Sequence, residues 1–187
     1  MLQLWCLAAA LCAHPAPDAP AIRGSMMAPA AVTVEQVRLH ARSGENTLVV
    51  LADGDPAPIR EAVERIRTAG RWLQERGYPR LALLSHSMGS WMANVYFEQT
   101  ADSPFAAWLC MGLTGGFGGM RNVRVPVLDV YGENDLAQVL RADWRRRATL
   151  QSIEGSKQVR VAGADHQYTG REKELAMEIR DFLAGLK

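Results

Sequence analysis

The chain has 187 residues and a formal net charge of +1, which suits one domain with a buried core and gives no charge excess to draw it to nucleic acid. No internal repeat is visible and no apolar stretch is long enough to span a bilayer. The three cysteines supply neither a disulfide framework nor metal-ligand spacing.

In chain order, Leu2 to Cys12 is apolar and runs into a loose Ala/Pro stretch from Ala13 to Ala21. Residues 1–21 resemble a secretory leader cleaved near Ala13 or Ala21, which would make the protein periplasmic or secreted. No Lys or Arg precedes the apolar run, so the alternative is a start without defined structure and a cytoplasmic protein. Residues 30–187 read as a single domain. Val32 to His40 and Thr47 to Ala52 are expected as two strands joined by the turn Ser43-Gly44-Glu45-Asn46, an antiparallel hairpin at the N-terminal side.

From residue 55 the alternation of helix and strand is clear. Asp55-Pro56 supplies a cap and a first-turn proline. Ile59, Ala62, Val63, Ile66, Ala69 and Leu73 then make one apolar stripe that Gly77 ends. Leu81 to Leu84 is a short apolar strand and Gly89 to Gln99 a helix. Ala106 to Met111 and Val125 to Tyr131 read as buried strands, with Cys110 an inert core thiol. Leu136 to Ile153 is expected as a helix on which Arg141 and Arg145-Arg146-Arg147 form a solvated face. Gln158 to Ala162 is a strand, and Arg171 to Leu186 a closing helix with Thr169 and Glu172 at capping-box spacing. Strands that are nearly all apolar and separated by helices imply an α/β fold, a mostly parallel sheet with helices on both faces.

Ser85-His86-Ser87-Met88-Gly89 lies where the strand Leu81 to Leu84 meets the helix. A serine thrust up at a sharp strand-to-helix turn is a nucleophile elbow. The helix N-terminus would stabilise an oxyanion there, with the Met88 N–H as donor. Gly89 meets the need for small flanking residues, whereas Ser85 stands where glycine is usual. A serine hydroxyl needs a base, itself oriented by a third group. Asp135 follows the strand Val125 to Tyr131, and His166 follows Gln158 to Ala162. Ser87, Asp135 and His166 thus all fall at carboxyl ends of expected parallel strands, where open α/β sheets place their sites. Each has a plainer reading: Ser87 could cap the helix, His166 could be an exposed loop residue, and Glu133 or Asp165 could replace Asp135. His86 should point away from Ser87 and is read as structural; His14 and His40 carry no assignment. Gly112 to Gly119 lacks the Lys-Ser/Thr ending of a phosphate loop and reads as a loop on the site's side of the sheet. Too few residues separate Met111 from Val125 for a large helical lid.

Leu84-Ser85-His86-Ser87-Met88-Gly89, Val127 to Asp135 and Val161 to His166 resemble the α/β-hydrolases. More narrowly, they are similar to a poorly characterised bacterial family of small, often exported members. The similarity covers roughly residues 55–187. It implies Ser87 as nucleophile, Asp135 as acid and His166 as base, and supplies no substrate; the serine chemistry itself calls for a small-molecule acyl substrate and for no cofactor or metal. The family normally has a further strand and glycine-rich turn before the elbow, and this turn supplies a second oxyanion N–H. Here Leu48 to Ala52, with Asp53-Gly54-Asp55, is the nearest candidate, and it runs straight into a helix that normally comes two elements later. A strand-helix-strand portion is therefore expected to be missing, so that either another strand takes its place or an apolar edge is exposed. Three readings follow: an esterase-type serine hydrolase, a non-catalytic hydrolase-fold binding module, and an acyltransferase sharing the same residues.

Overall fold

The computed structural model describes residues 27–28, 32–33, 37–42, 45–52, 59–118 and 123–186. The expected leader over residues 1–21 and the helix cap at Asp55-Pro56 lie outside the described residues. So does the end of the glycine-rich segment.

Two short strands, β1 (Met27–Ala28) and β2 (Val32–Thr33), pair with each other. The main sheet holds β3 (Val37–Arg42), β4 (Glu45–Ala52), β5 (Arg80–His86), β6 (Phe105–Met111), β7 (Val127–Asn134) and β8 (Lys157–Asp165), in that spatial order. β3 and β4 pair antiparallel, and every later pairing is parallel. The first strand expected over Val32 to His40 is thus two elements, β2 and β3, and only the second joins the hairpin. The helices are α1 (Ile59–Glu75), α2 (Met88–Gln99), α3 (Ala137–Arg141), α4 (Asp143–Leu150) and α5 (Glu172–Ala184).

Alternation along each strand sends side chains to two separate cores. Leu81 and Leu83 of β5, with Trp108 and Cys110 of β6, pack against Val63, Ile66 and Leu73 of α1, Tyr96 and Phe97 of α2, and Leu150 of α4. Ala82, Leu84, Leu109, Leu128 and Val130 point the other way, onto Leu175, Ala176, Ile179 and Phe182 of α5. Parallel strands laid down one beside the next in sequence need crossovers of one hand, which puts the intervening helices on one face. The last helix is free of that constraint and closes the other. Each fully buried large side chain contributes about 1.5–3 kcal/mol.

Three local expectations are corrected. The helix over Leu136 to Ile153 is two helices, because Ala142 sits at φ −103°, ψ 0° and turns the chain between α3 and α4. Thr169 does not cap α5. The helix begins after Arg171, and the Glu172 carboxylate instead accepts from the Gly170 N–H at 3.0 Å. Arg146 is not on a solvated face but fully buried. Its guanidinium donates to Asp129 Oδ2 at 2.8 Å and to the carbonyls of Leu113, Gly115 and Val139. The Gln158 side-chain amide also donates to Asp129, at 2.8 Å.

The place beside the elbow strand is taken by β4, which runs parallel to β5 with Ala52 opposite Ser85. Of the two outcomes open at that position, a substituted neighbour is the one found, and β5 is an interior strand.

Candidate active site

Ser87 is the single residue between β5 and α2, at φ 53°, ψ −119°. A positive φ is costly for a residue with a side chain, and such strain gathers at functional sites. The turn is held by its surroundings: the Ser87 N–H donates to the Met111 carbonyl at 2.9 Å, and its own carbonyl accepts from the N–H groups of Ser90 and Trp91. The hydroxyl does not cap the helix. It meets His166 Nε2 at 2.8 Å. Met88, as the first residue of α2, has an N–H without an intrahelical acceptor.

His166 follows β8, and its Nδ1 lies 2.6 Å from Asp135 Oδ1. A carboxylate only accepts, so Nδ1 carries the proton and Nε2 is the acceptor facing the Ser87 hydroxyl. Asp135 follows β7 and is nearly closed to solvent. Its Oδ2 accepts from the Gly132 N–H at 3.0 Å and its Oδ1 from the Leu136 N–H at 2.7 Å. Burial pushes this carboxyl up, but the hydrogen bonds from His166, Gly132 and Leu136 together hold it below its ordinary value. The other nearby acids are turned elsewhere. Glu133 pairs with Arg160 and accepts from the Gly163 N–H. Asp165 Oδ1 accepts from the N–H groups of Gln167 and Thr169. The three residues expected at strand ends are therefore joined in one hydrogen-bonded line, Ser87 to His166 to Asp135.

Two glycines make the approach possible. A Cβ on Gly112, at φ +58°, would lie 2.8 Å from His166 Cε1. One on Gly132 would strike the backbone of Ala164 and Asp165, so the acid-bearing and base-bearing loops meet only because position 132 has no side chain. The His86 Nε2–H donates to the His166 carbonyl at 2.9 Å, and its ring lies 4.9 Å from that of His166. Tyr168, buried at φ 57°, donates its hydroxyl to the Val130 carbonyl at 3.0 Å and ties the base loop to β7.

This arrangement of strands and helices has counterparts among solved structures. A predicted CIB-like hydrolase from Thermoplasma acidophilum shares 25% identity at TM-score 0.55, over 71% of this chain and 62% of that one. The chain has the α/β-hydrolase fold. An α/β serine hydrolase homologue from Coxiella burnetii, with this hydrolase fold, matches at 21% identity and TM-score 0.51, over 68% of this chain and 62% of that one. XC6422 from Xanthomonas campestris, described as an α/β serine hydrolase without a lid, matches at 17% identity and TM-score 0.52, over 65% of this chain and 55% of that one. The chain thus spans about three fifths of the length of these hydrolase-fold structures. No family model matches it, and no curated protein does.

Sequence reasoning missed Tyr168 and Arg146. Tyr168 carried no signal beyond its place after His166. For Arg146 a signal existed: Asp129 interrupts an apolar strand, and a buried carboxylate needs a cationic or hydrogen-bonded partner. Among the described residues no cluster of three His, Cys, Asp or Glu side chains could hold a metal ion. No described helix is long and apolar enough to cross a membrane.

Proposed function

We propose that the protein is a serine hydrolase of the esterase type. The observation that carries this reading is the line of hydrogen bonds in which one imidazole meets the Ser87 hydroxyl at 2.8 Å and the Asp135 carboxylate at 2.6 Å. Ser87 Oγ attacks an acyl carbonyl while His166 Nε2 takes its proton, and the Met88 N–H receives the developing oxyanion. The ester C–O bond breaks as His166 passes the proton to the departing alkoxide. Water then attacks the acyl-enzyme, His166 accepts its proton, and the acid leaves as Ser87 regains its own. Asp135 holds the tautomer throughout. No step requires a cofactor.

Met88 and Leu136, the neighbours of Ser87 and Asp135, expose large apolar side chains. This supports an apolar rather than a charged acyl group in a small-molecule substrate. The apolar run Leu2 to Cys12 supports export as the setting. A fluorophosphonate probe on the full chain, with Ser87→Ala as control and the adduct located by mass spectrometry, tests the reading. Labelling at Ser87 that disappears in the variant is the expected result. A folded protein that takes no label would overturn it in favour of a ligand-binding module on the hydrolase fold.

A further inference from the structure

Beneath the elbow lies a buried polar line that the reaction scheme does not use. Ser85, Ser90 and Trp108 are all fully buried. Trp108 Nε1–H donates to Ser85 Oγ at 2.8 Å. Ser85 Oγ and Ser90 Oγ are 3.1 Å apart, and Ser90 Oγ donates to the Met111 carbonyl at 2.8 Å. The direction of each bond follows from counting protons. The indole nitrogen is only a donor, so Ser85 accepts from it. A carbonyl is only an acceptor, so the single Ser90 proton is on Met111 and Ser90 must accept from Ser85. The Leu109 carbonyl is a second, longer acceptor for Ser85 at 3.4 Å. The line therefore runs Trp108 to Ser85 to Ser90 to the Met111 carbonyl. It ends where the Ser87 N–H also ends, at 2.9 Å.

We infer that Ser85, at a position where glycine is usual in an elbow, is a positioning residue. Together with Trp108 and Ser90 it fixes the Met111 carbonyl that anchors the strained nucleophile. This rests on the serine-hydrolase reading of Ser87. The physical need is specific. Ser87 is held at an unfavourable φ, and the bond from its own N–H is one of the few that can oppose relaxation. A carbonyl that accepts two donors is fixed in direction better than one that accepts a single donor. The residue that follows β6 is Gly112, against which the His166 ring lies. A shift of Met111 would therefore disturb nucleophile and base together. With glycine at 85, the indole N–H and the Ser90 hydroxyl would each lose a buried partner, so the chain's departure from the usual elbow is matched by Trp108 and Ser90.

The test compares wild type, Ser85→Ala, Ser90→Ala and the double variant by the kinetics of fluorophosphonate inactivation, resolved into the maximal rate constant and the half-saturating probe concentration. Thermal melts establish that each is folded. The relay predicts that each single variant lowers the maximal rate constant by about tenfold, because a small misplacement of reacting atoms is expensive. It leaves the half-saturating concentration within about twofold. The double variant should be no slower than the worse single one, since the two hydroxyls act in series. A merely structural role would lower the melting temperature without this split. Folded Ser85→Ala and Ser90→Ala that react at the wild-type rate overturn the relay and leave the hydrolase reading intact, and so does a double loss equal to the product of the single ones. Should Ser85→Ala fail to fold, Ser90→Ala decides by the same two readouts. A wild type that takes no label overturns the hydrolase reading and the relay with it.

Discussion

Replacing Gly112 with alanine puts a methyl group into the space that the His166 ring occupies. The added Cβ would stand 2.8 Å from His166 Cε1 and 3.0 Å from Nδ1. Carbon atoms pack at about 3.5 Å or more, so the ring must retreat by roughly 0.7 Å. That ring is held at both nitrogens, at 2.6 Å to Asp135 and 2.8 Å to Ser87. It cannot retreat without stretching one bond or both. A misplacement approaching 1 Å at the reacting atoms lowers the rate by on the order of 10²-fold. The φ of +58° at this position adds a backbone cost of about 1–2 kcal/mol. For a chain of this size that lowers Tm by roughly 2–8 °C. The assay is hydrolysis of a p-nitrophenyl ester at saturating concentration beside a thermal melt. Gly116→Ala serves as control, because its Cβ would make only an ordinary contact, 3.7 Å from Arg145 Cβ. Gly112→Ala that keeps kcat within about threefold of wild type would show that the ring can move without loss, and would refute the argument from geometry.

Other outcomes follow from the same structure. Asp135→Asn should fold and lower kcat at neutral pH by on the order of 10³–10⁴-fold, because the amide favours the wrong imidazole tautomer; retention of most of the activity would remove Asp135 from the scheme. The same carboxyl makes stability depend on pH. Its value in the folded protein is depressed below the ordinary 3.8, so its stabilisation is present above that value and is lost as pH falls through the lower, folded one. Thermal melts in acid should therefore show wild type losing stability more steeply than Asp135→Asn over that window, and parallel curves would contradict this. Arg146→Ala should cost about 3–5 kcal/mol, read by denaturant unfolding, since it leaves Asp129 buried without its charge partner. The paired change Asp129→Leu with Arg146→Met should cost much less.

The fold was readable because β5, β6 and β7 are nearly unbroken apolar runs, as strands buried on both faces must be. The site was readable because Ser87, Asp135 and His166 each come at the end of an expected strand, although β8, ahead of His166, is of mixed polarity. What escaped reading depended on contacts distant in sequence. Nothing in Arg145-Arg146-Arg147 itself says which of the three turns inward; the choice is made by Asp129, Leu113 and Gly115. The break at Ala142 has no proline or glycine to announce it. Thr169 and Glu172 have capping spacing, but the Thr169 N–H is already given to Asp165, and the N-cap of α5 is Arg171, two residues later than the pattern suggests. Ser85 looked like an imperfect elbow residue until Trp108 and Ser90 were placed beside it.

The division of helices between the two faces bears on synthesis. Among the described residues, the face bearing Leu84, Leu109 and Val130 is covered by α5 and the base loop with Tyr168. A nascent chain whose α5 has not yet left the ribosome would lack that cover, and would be a client for holding chaperones over that interval. His166 lies just ahead of the same helix. Tyr168, two residues past His166, packs into the same cluster as α5, so docking of that helix also sets the segment that presents the imidazole to Ser87.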